Sequence, residues 1–322
     1  MESGYDSSLK TGRQRNAGPA FDTDRLSCRI KGNLGRVKTI VFTGFALVAF
    51  ATNSVLCRLA LGAATIDAAS FSTIRLASGA VMLLLLTAGF KVRMAWTPRG
   101  NWVSATLLFL YAAAFSFAYI VLTTGTGALI LFGSVQVTMI FSALCSGERP
   151  HPLEWTGLFL ALSGLVYLVF PGLTAPSPTG SVLMAIAGIS WGIYSLRGRG
   201  AAAPLVNTTR NFVFSLPPAV AVSFIMLRDL HISAEGALLA VLSGALASGV
   251  GYVVWYAALR GLTATRAATV QLAVPVLAAL GGVILLSEHV SVRLFLSAVV
   301  ILGGVGLALT GRQYSVQIKT AK

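Results

Sequence analysis

Charged residues are scarce in this chain of 322 residues. Asp, Glu, Lys and Arg together make up 11% of it and hydrophobic residues make up 56%, whereas soluble domains carry about 25% charged residues. Acids are the scarcer sign, with 10 Asp plus Glu against 24 Lys plus Arg. This composition excludes a water-soluble globule and a disordered chain, and it indicates a protein whose surface mostly faces lipid.

Residues that carry metal or nucleophilic chemistry are also few. Cys28, Cys57 and Cys145 are scattered and include no C-x-x-C pair, which excludes a disulfide framework and a zinc site. The acids and histidines lie in tails, turns or span ends. We therefore predict no catalytic residue, no metal and no cofactor, and we do not expect an enzyme. A built-in proton relay is also disfavoured, because it usually needs an ionisable group in mid-membrane.

Long apolar runs fill most of the chain. A membrane helix needs about 20 apolar residues, and ten runs approach that length. They are residues 39–60, 69–90, 102–122, 125–145, 153–171, 180–197, 209–227, 236–258, 267–286 and 292–310. These runs predict an all-α integral membrane protein with ten transmembrane helices. Outside them lie a basic tail, residues 1–38, which is predicted to be disordered, and a second tail, residues 312–322.

The distribution of positive charge predicts a topology. With the N-terminus in the cytoplasm and ten crossings, twenty Lys and Arg fall in cytoplasmic segments and three, Arg58, Arg228 and Arg293, fall outside. Cytoplasmic loops carry such an excess, so both termini are predicted to be cytoplasmic and the protein to lie in a cell inner membrane. The basic residues do not alternate with stacking aromatics on a soluble unit, so no nucleic-acid partner is expected.

The two halves of the chain repeat each other. Residues 112–169 align with residues 252–309 at a constant offset of 140, with seven identities. The predicted repeats are residues 39–171 and 180–311, joined by an extracytoplasmic linker at 172–179. Each repeat has five spans, an odd number, so the second must be inverted relative to the first. Inverted repeats are typical of transporters, whose substrate site lies near the midplane between the halves.

Short motifs carry a family resemblance. A lone Glu stands in a polar turn near the end of each half, in Ser146-Gly147-Glu148-Arg149 and in Ser287-Glu288-His289, and Val274-Pro275-Val276 lies in the ninth span. With the five-plus-five layout, these residues resemble the EamA branch of the drug/metabolite transporter superfamily over residues 39–311. The resemblance implies a carrier of small metabolites.

Within that family, three segments most resemble the YddG-type aromatic amino-acid exporters. These are Tyr111, Ser190-Trp191-Gly192-Ile193-Tyr194 and Gly251-Tyr252-Val253-Val254-Trp255. The first half departs from the pattern, because Val135 stands where Pro275 predicts a proline. Through those three segments, the resemblance implies amino-acid export, with aromatic amino acids as the specific expectation.

Aromatic and uncharged polar side chains within the spans are the candidate substrate-binding residues. Tyr111, Phe115 and Tyr119 recur on one face of the third span, and a deep Tyr or Trp needs a partner for its polar tip. Several such residues meeting at the midplane would form an amphipathic cavity, and helix packing is the alternative for each of them. The full set is Asn53, Tyr111, Phe115, Tyr119, Gln136, Thr138, Trp191, Tyr194, Tyr252, Trp255 and Tyr256.

Three charged residues are candidate gates. Arg75 is the ionisable group that lies well inside a span, which is expensive unless the group is paired or wet. It either extends outward to the membrane surface, or reaches carbonyls and an acid such as Asp67 or Glu288, or meets a substrate carboxylate. Glu148 and Glu288 are equivalent in the two repeats, and each either pairs with a cation of the opposite half or caps a turn.

Three prolines are candidate hinges. Pro217 and Pro218 lie in the middle of the seventh span and Pro275 lies in the ninth. Proline frees a backbone carbonyl and allows a helix to bend. We therefore expect these prolines to interrupt their spans at points where a carrier would flex.

The sequence predicts a secondary transporter that exports a small metabolite, most specifically an aromatic amino acid, by alternating access as a uniporter or exchanger. Alternatives in the same class are exporters of other small organic molecules or drugs, of threonine- or homoserine-like amino acids, or of nucleotide sugars. A membrane-embedded enzyme or a lipid-handling scaffold is the alternative of a different class. The expected partners are the small-molecule substrate and the bilayer, and a monomer is compatible with the sequence.

Overall fold

The computed structural model describes residues 23–92, 102–122, 124–170, 177–286 and 291–320, and these residues are nearly all helical. The helices are α1 (Thr23–Gly62), α2 (Ala68–Gly89), α3 (Trp102–Ala118), α4 (Thr124–Cys145), α5 (Pro152–Val169), α6 (Pro178–Gly198), α7 (Pro204–Ile225), α8 (Ala234–Leu259), α9 (Ala264–Gln271 and Val274–Leu286) and α10 (Val292–Thr320). Each overlaps one predicted apolar run. The all-α membrane fold with ten helices is therefore confirmed.

Eight of the described helices are long and apolar enough to cross a membrane, and α3 is a shorter apolar helix. α7 is less apolar because its first turns carry buried polar residues, among them Thr208, Thr209 and Asn211. α1 begins at Thr23, inside the tail that was predicted to be disordered, and α10 continues to Thr320. A helix that is already nucleated adds one hydrogen bond for each residue it extends, so the apolar runs do not mark where these two helices end.

Proline affects α7 and α9 differently. α7 continues as one helix through Pro217 and Pro218, so the predicted interruption there is wrong. α9 is interrupted at residues 272–273, directly before the segment that contains Pro275, as the sequence predicted. α8 has an irregularity that the sequence did not predict, a π-helical segment at Ser243–Val250, a feature that is frequent at functional sites.

The helix contacts have the symmetry expected if the two halves were exchanged. Such an exchange would place α1–α5 on α6–α10 and α6–α10 on α1–α5. The contact α3–α6 should then be matched by α8–α1, the contact α4–α6 by α9–α1, and the contact α2–α8 by α7–α3. All six of these pairs are in contact, and α2–α7, α4–α9 and α5–α10, which map onto themselves, are in contact as well. The packing thus has the symmetry that two inverted repeats would generate.

The α5–α10 contact reproduces the offset of 140 residue by residue. A Cβ added to Gly164 would meet Ile301 on α10, and one added to Gly304 would meet Ala161 on α5. Gly164 and Ala161 correspond to Gly304 and Ile301 in the repeat alignment. Small residues let membrane helices approach closely, so this pair fixes the two repeats against each other.

Candidate functional site

Aromatic side chains from five helices pack together at the centre of the bundle. Phe50 of α1 lies 5.2 Å from Trp191, 5.8 Å from Tyr252 and 5.5 Å from Trp255, measured between ring centroids. Tyr111 of α3 lies 4.9 Å from Trp191. α7 contributes Phe212, which contacts Tyr252. The predicted aromatic residues thus come together, and Phe50 is a central member that the sequence analysis missed.

The polar tips of these aromatics are bonded. Trp191 Nε1 donates to Gln271 Oε1 at 2.6 Å, and Trp255 Nε1 donates to Ser195 Oγ at 3.1 Å. Tyr256 donates its hydroxyl hydrogen to the carbonyl of Tyr194 at 3.2 Å. All of these aromatics are buried. In this conformation the cluster is therefore closed and its rings contact one another.

Arg75 lies beside this cluster and has no carboxylate partner among the described residues. Its Nε donates to Ser248 Oγ at 3.0 Å and its Nη2 donates to the Tyr252 hydroxyl at 2.7 Å. Its Cζ lies 5.3 Å from the centroid of the Tyr111 ring. The side chain is 1% exposed and Nη1 has no hydrogen-bond partner. Asp67, a predicted partner, instead caps α2.

Asn53 extends the Arg75 network across two helices. Its Oδ1 accepts a hydrogen bond from Ser243 Oγ at 2.6 Å, and Ser248 Oγ lies 3.5 Å away. Both serines belong to the π-helical segment of α8, and Ser248 also contacts Arg75. Asn53 therefore joins α1 to α8 in this conformation, and its role in binding stays a prediction.

A cavity of about 290 Å³ lies beside the aromatic cluster. Small-molecule sites begin at about 300 Å³, so its size suits a small metabolite. Its inner walls are apolar and come from both repeats, and its lining includes Val55, Leu131, Phe132, Val169, Val274, Pro275 and Ala278. Of the predicted substrate-binding residues, Tyr119 lines this cavity.

Two arginines lie at one end of the cavity, and the sequence analysis did not single them out as binding residues. Arg58 comes from α1 and Arg293 from α10, so each repeat contributes one. The lining contains no carboxylate among the described residues. Among the described residues, Arg293 Nε is buried without a hydrogen-bond partner. The described side chains at this end of the cavity thus include two arginines, and the interior is apolar.

A row of three rings, two on α3 and one just past its end, connects the cavity to Arg75. Tyr119 lines the cavity and lies 4.7 Å from Phe115, which lies 5.7 Å from Tyr111. The Arg75 guanidinium lies over the ring of Tyr111. The helical spacing predicted that these three side chains share a face, and the structure places one end of that face at the cavity and the other at the buried cation.

The remaining predicted polar residues lie on α4. Gln136 Nε2 donates to the carbonyl of Ala268 on α9 at 2.8 Å, while its Oε1 has no partner. Thr138 bonds to the carbonyl of Ser134 on its own helix and lines a lateral groove between α4 and α6. Gln136 thus joins the two halves, whereas Thr138 lies outside the central cavity.

Ionic contacts between the halves close the end of the bundle where α1 begins and α10 ends, here called the terminal end. Glu148 accepts hydrogen bonds from the backbone N–H of Ala264 at 2.9 Å and of Thr265 at 3.4 Å, and it lies 2.8 Å from Arg199. Glu148 thus both caps a helix and pairs with a cation of the other half. Glu288, its equivalent, lies outside the described residues.

A second ion pair at the terminal end is more deeply buried. Arg266 Nε donates to Glu154 Oε1 at 2.9 Å, with side-chain exposures of 9% and 7%. Glu154 lies in the first turn of α5 and Arg266 in the first turn of α9. This pair also crosses from one repeat to the other, and the sequence analysis missed it because neither residue forms part of a motif.

The charge state of Glu148 follows from its contacts. Burial alone would raise the pKa of this carboxyl, but the N–H groups of Ala264 and Thr265 and the Arg199 guanidinium outweigh burial and hold the pKa below its ordinary value of 4.5. Since the pKa is lowered in the closed state, the contribution of Glu148 to closure is present at neutral pH. It is lost only when the pH falls through that lowered value.

Comparisons with known proteins agree with this architecture. The model of the EamA-like transporter family matches residues 178–310. An uncharacterized protein of Pseudomonas aeruginosa is 48% identical over 275 residues, covering 85% of this chain and 96% of that protein. A probable amino-acid metabolite efflux pump of Escherichia coli is 26% identical over 213 residues, covering 61% and 70% of the two chains. One solved structure aligns with a TM-score of 0.68 at 20% identity, covering 82% of this chain and 96% of that one.

The family model and the names of these relatives indicate a multi-pass membrane transporter rather than an enzyme. The chain belongs to the EamA-like transporter family. The structural match, at 20% identity, supports the fold alone.

Proposed function

We propose that this protein is a secondary carrier that exports small amphipathic carboxylates, specifically aromatic amino acids, across a cell inner membrane by alternating access without proton coupling. The observation that carries the proposal is an apolar cavity that is joined by the packed rings of Tyr119, Phe115 and Tyr111 to the buried Arg75. Arg75 has no carboxylate partner among the described residues, and Arg58 and Arg293 line the other end of the cavity.

The chemistry of the path supports a substrate with one anionic group and an apolar body. Arg293, whose Nε has no hydrogen-bond partner among the described residues, attracts a carboxylate, and the apolar walls take the side chain. Arg75 Nη1 is a buried donor without a partner, and a carboxylate is the group that a guanidinium binds best. Aromatic rings along α3 offer stacking contacts to an aromatic side chain. The name of the Escherichia coli relative, an amino-acid metabolite efflux pump, points to the same substrate class.

The distribution of acids supports transport without a proton relay. Glu154 is buried, but it lies in the first turn of its helix and is paired with Arg266. Among the described residues, Asp67, Asp229 and Glu235 lie at turns or helix starts. A proton-coupled carrier usually needs an ionisable acid or histidine deep in the membrane, and the described spans offer Arg75 instead.

The proposal predicts flux of labelled phenylalanine through purified protein in liposomes with no ion gradient. The flux should be saturable and should be inhibited by unlabelled tryptophan. Trp191→Ala should lower it about tenfold or more, because it removes stacking contacts and the bond to Gln271. Trp102→Ala is the matched control, since Trp102 is 49% exposed and stacks on Phe214 away from the path, and it should keep its activity.

Other outcomes of this assay separate the parts of the proposal. Flux that appears only after a proton gradient is imposed would mean that a coupling group exists and that transport is not passive. Saturable flux of leucine but not of phenylalanine would retain the amino-acid class and exclude aromatic preference. No flux of either amino acid under both conditions would overturn the substrate assignment.

Alternating access also predicts which residues form the opposite vestibule. The cavity-lining residues Leu131, Phe132, Pro275 and Ala279 correspond, at the offset of 140, to Gln271, Leu272, Val135 and Met139. These four equivalents are at most 1% exposed here. We infer that they line the substrate path when the terminal end opens.

Cysteine accessibility tests this inference without any substrate. In a background lacking the native cysteines, Ala268→Cys, at a position buried beneath the closed end, should react slowly with a membrane-impermeant thiol reagent. Adding Glu148→Gln, which mimics the protonated acid, should raise its labelling about tenfold, because two backbone hydrogen bonds to a charged acceptor are weakened. With Glu148 intact, labelling should not rise as the pH falls from 7 to 5, since its pKa is held below 4.5.

A static position serves as the control. Ala161→Cys lies at the tight α5–α10 contact and should stay unreactive in both backgrounds. Equal labelling of Ala268→Cys with and without Glu148→Gln would contradict the closing role of Glu148.

A further inference from the structure

A lateral groove of about 850 Å³ runs along the outer side of the bundle between α4 and α6. It is lined from Leu129 to Ser142 on α4 and from Ile189 to Arg197 on α6. The α4 side of the groove covers a rise of thirteen residues, or about 20 Å. This length exceeds the roughly 15 Å of hydrocarbon in one leaflet, so the groove is long enough for an acyl chain. Val137 and Phe141 on its wall are 71% and 68% exposed, so the groove opens to the hydrocarbon rather than to the central cavity.

We propose that this groove binds an anionic phospholipid, with an acyl chain along the apolar wall and the phosphate at Arg197. The site is separate from the substrate path, and the proposal does not depend on the substrate. Two observations support this occupant: the position of Arg197, the charged residue among the described lining residues, and the open space above Gly133 where the chain would lie.

Arg197 is placed to meet a headgroup. It lies one residue from the end of α6, at the terminal end of the groove and level with Ser142 of α4. Its Nε donates to Ser104 Oγ at 3.0 Å, which holds the guanidinium in place. No carboxylate lines the groove within the described residues, and the neighbouring Glu148 is already bound to Arg199. A fixed cation at the depth of the headgroups favours an anionic lipid.

Glycines make room for the chain. A Cβ added to Gly133 would meet no atom within 4 Å, so the groove is open above this residue. Gly188 on α6 lies against the carbonyl of Leu131 and the Cβ of Ser134, and it lets the two helices meet at the floor of the groove. The result is a channel with an apolar wall that leads to a cation at the membrane surface, which matches the form of a phospholipid.

Native mass spectrometry of the purified, detergent-solubilised protein tests the proposal. Phosphatidylglycerol is titrated into the delipidated protein, with phosphatidylcholine as the neutral comparison. The wild-type protein should retain phosphatidylglycerol in preference, and Arg197→Gln should weaken that binding about fivefold, the effect of one basic residue at the membrane surface. Lys91→Gln is the matched control, since Lys91 is an exposed cation at the terminal end of α2, outside the groove.

A second variant tests the acyl-chain part with Arg197 left in place. Gly133→Leu fills the groove and should reduce phosphatidylglycerol binding as strongly as Arg197→Gln. Gly303→Leu, at a position on α10 that also has open space around it, should leave binding unchanged. Equal retention of phosphatidylcholine, or phosphatidylglycerol binding that neither groove variant changes, would overturn the proposal.

Discussion

Replacing Arg75 with leucine is expected to reduce substrate flux about 100-fold, because a hydrogen-bonded contact to a charged group contributes about 1.5–3 kcal/mol and the carboxylate would lose its buried partner. The flux of Arg75→Lys should lie between that of wild type and that of Arg75→Leu, about tenfold below wild type. Lysine keeps the charge but loses the bidentate geometry of the guanidinium. The measurement is the initial rate of labelled phenylalanine exchange in liposomes.

Thermal stability distinguishes a binding role from a structural one. A buried charge without a counter-ion costs free energy, and its replacement by an apolar residue is often neutral or stabilising. Arg75→Leu should therefore unfold at the same temperature as wild type or higher while transport is lost, the compromise expected where a residue is kept for function. A lower melting temperature that tracks the loss of flux would instead assign Arg75 to the packing of α2 against α8.

Arg210→Leu is the matched control for this variant. Arg210 is also a buried arginine, and its Nε likewise has no hydrogen-bond partner. It lies in the second turn of α7 and does not line the cavity. Its replacement should leave flux within about twofold of wild type. A tenfold change would require about 1.4 kcal/mol, so a twofold change corresponds to a much smaller loss of free energy. A loss as large as that of Arg75→Leu would mean that any buried arginine is needed.

The helices could be predicted from the sequence because the bilayer imposes one requirement on all of them. Every spanning segment must satisfy its own backbone and present apolar side chains, so the apolar runs coincide with the helices to within a few residues. The requirement does not apply outside the bilayer, so it does not fix where α1 begins, inside the tail that was predicted to be disordered, or where α10 ends, inside the second tail. The requirement also does not predict the π-helical segment at Ser243–Val250, because a π-helix satisfies its backbone with a different hydrogen-bond pattern and needs no change in composition.

The site was predicted less completely because its parts meet only through helix packing. The periodicity of Tyr111, Phe115 and Tyr119 was readable, and so was the oddity of Arg75 inside a span. Phe50 was not, since it is one of three Phe residues in an apolar run of 22 residues and carries no local signal of its own. In the sequence, Arg58 and Arg293 looked like ordinary charges of the outer segments. They line the same end of the cavity because α1 and α10 both contribute to its wall.

Removing one member of the Glu154–Arg266 pair is expected to destabilise the closed state strongly. Both side chains are less than 10% exposed, and breaking a buried ion pair from one side costs about 3–5 kcal/mol because the remaining charge is left without compensation. Glu154→Leu and Arg266→Met should each lower the midpoint of denaturant-induced unfolding by a corresponding amount. The measurement is the unfolding midpoint in detergent, with the slope checked for a constant value.

The double variant decides whether the pair itself or its surroundings matter. With both charges removed, stability should return to within about 1 kcal/mol of wild type, since apolar replacements of a buried pair are often neutral. Single variants that leave the unfolding midpoint unchanged would mean that the pair is solvated and does not hold the repeats together.

Transport by the double variant then separates a static link from a gate. A link that stays closed throughout the cycle can be replaced by apolar contacts without changing the rate, because it contributes equally to every state. A gate contributes to the closed state alone, so replacing its charges changes the balance between the two states and shifts the rate even where stability is restored. Because Glu154 and Arg266 lie on opposite repeats at the first turns of α5 and α9, and the repeats must separate there for the terminal end to open, we expect a changed rate at unchanged stability.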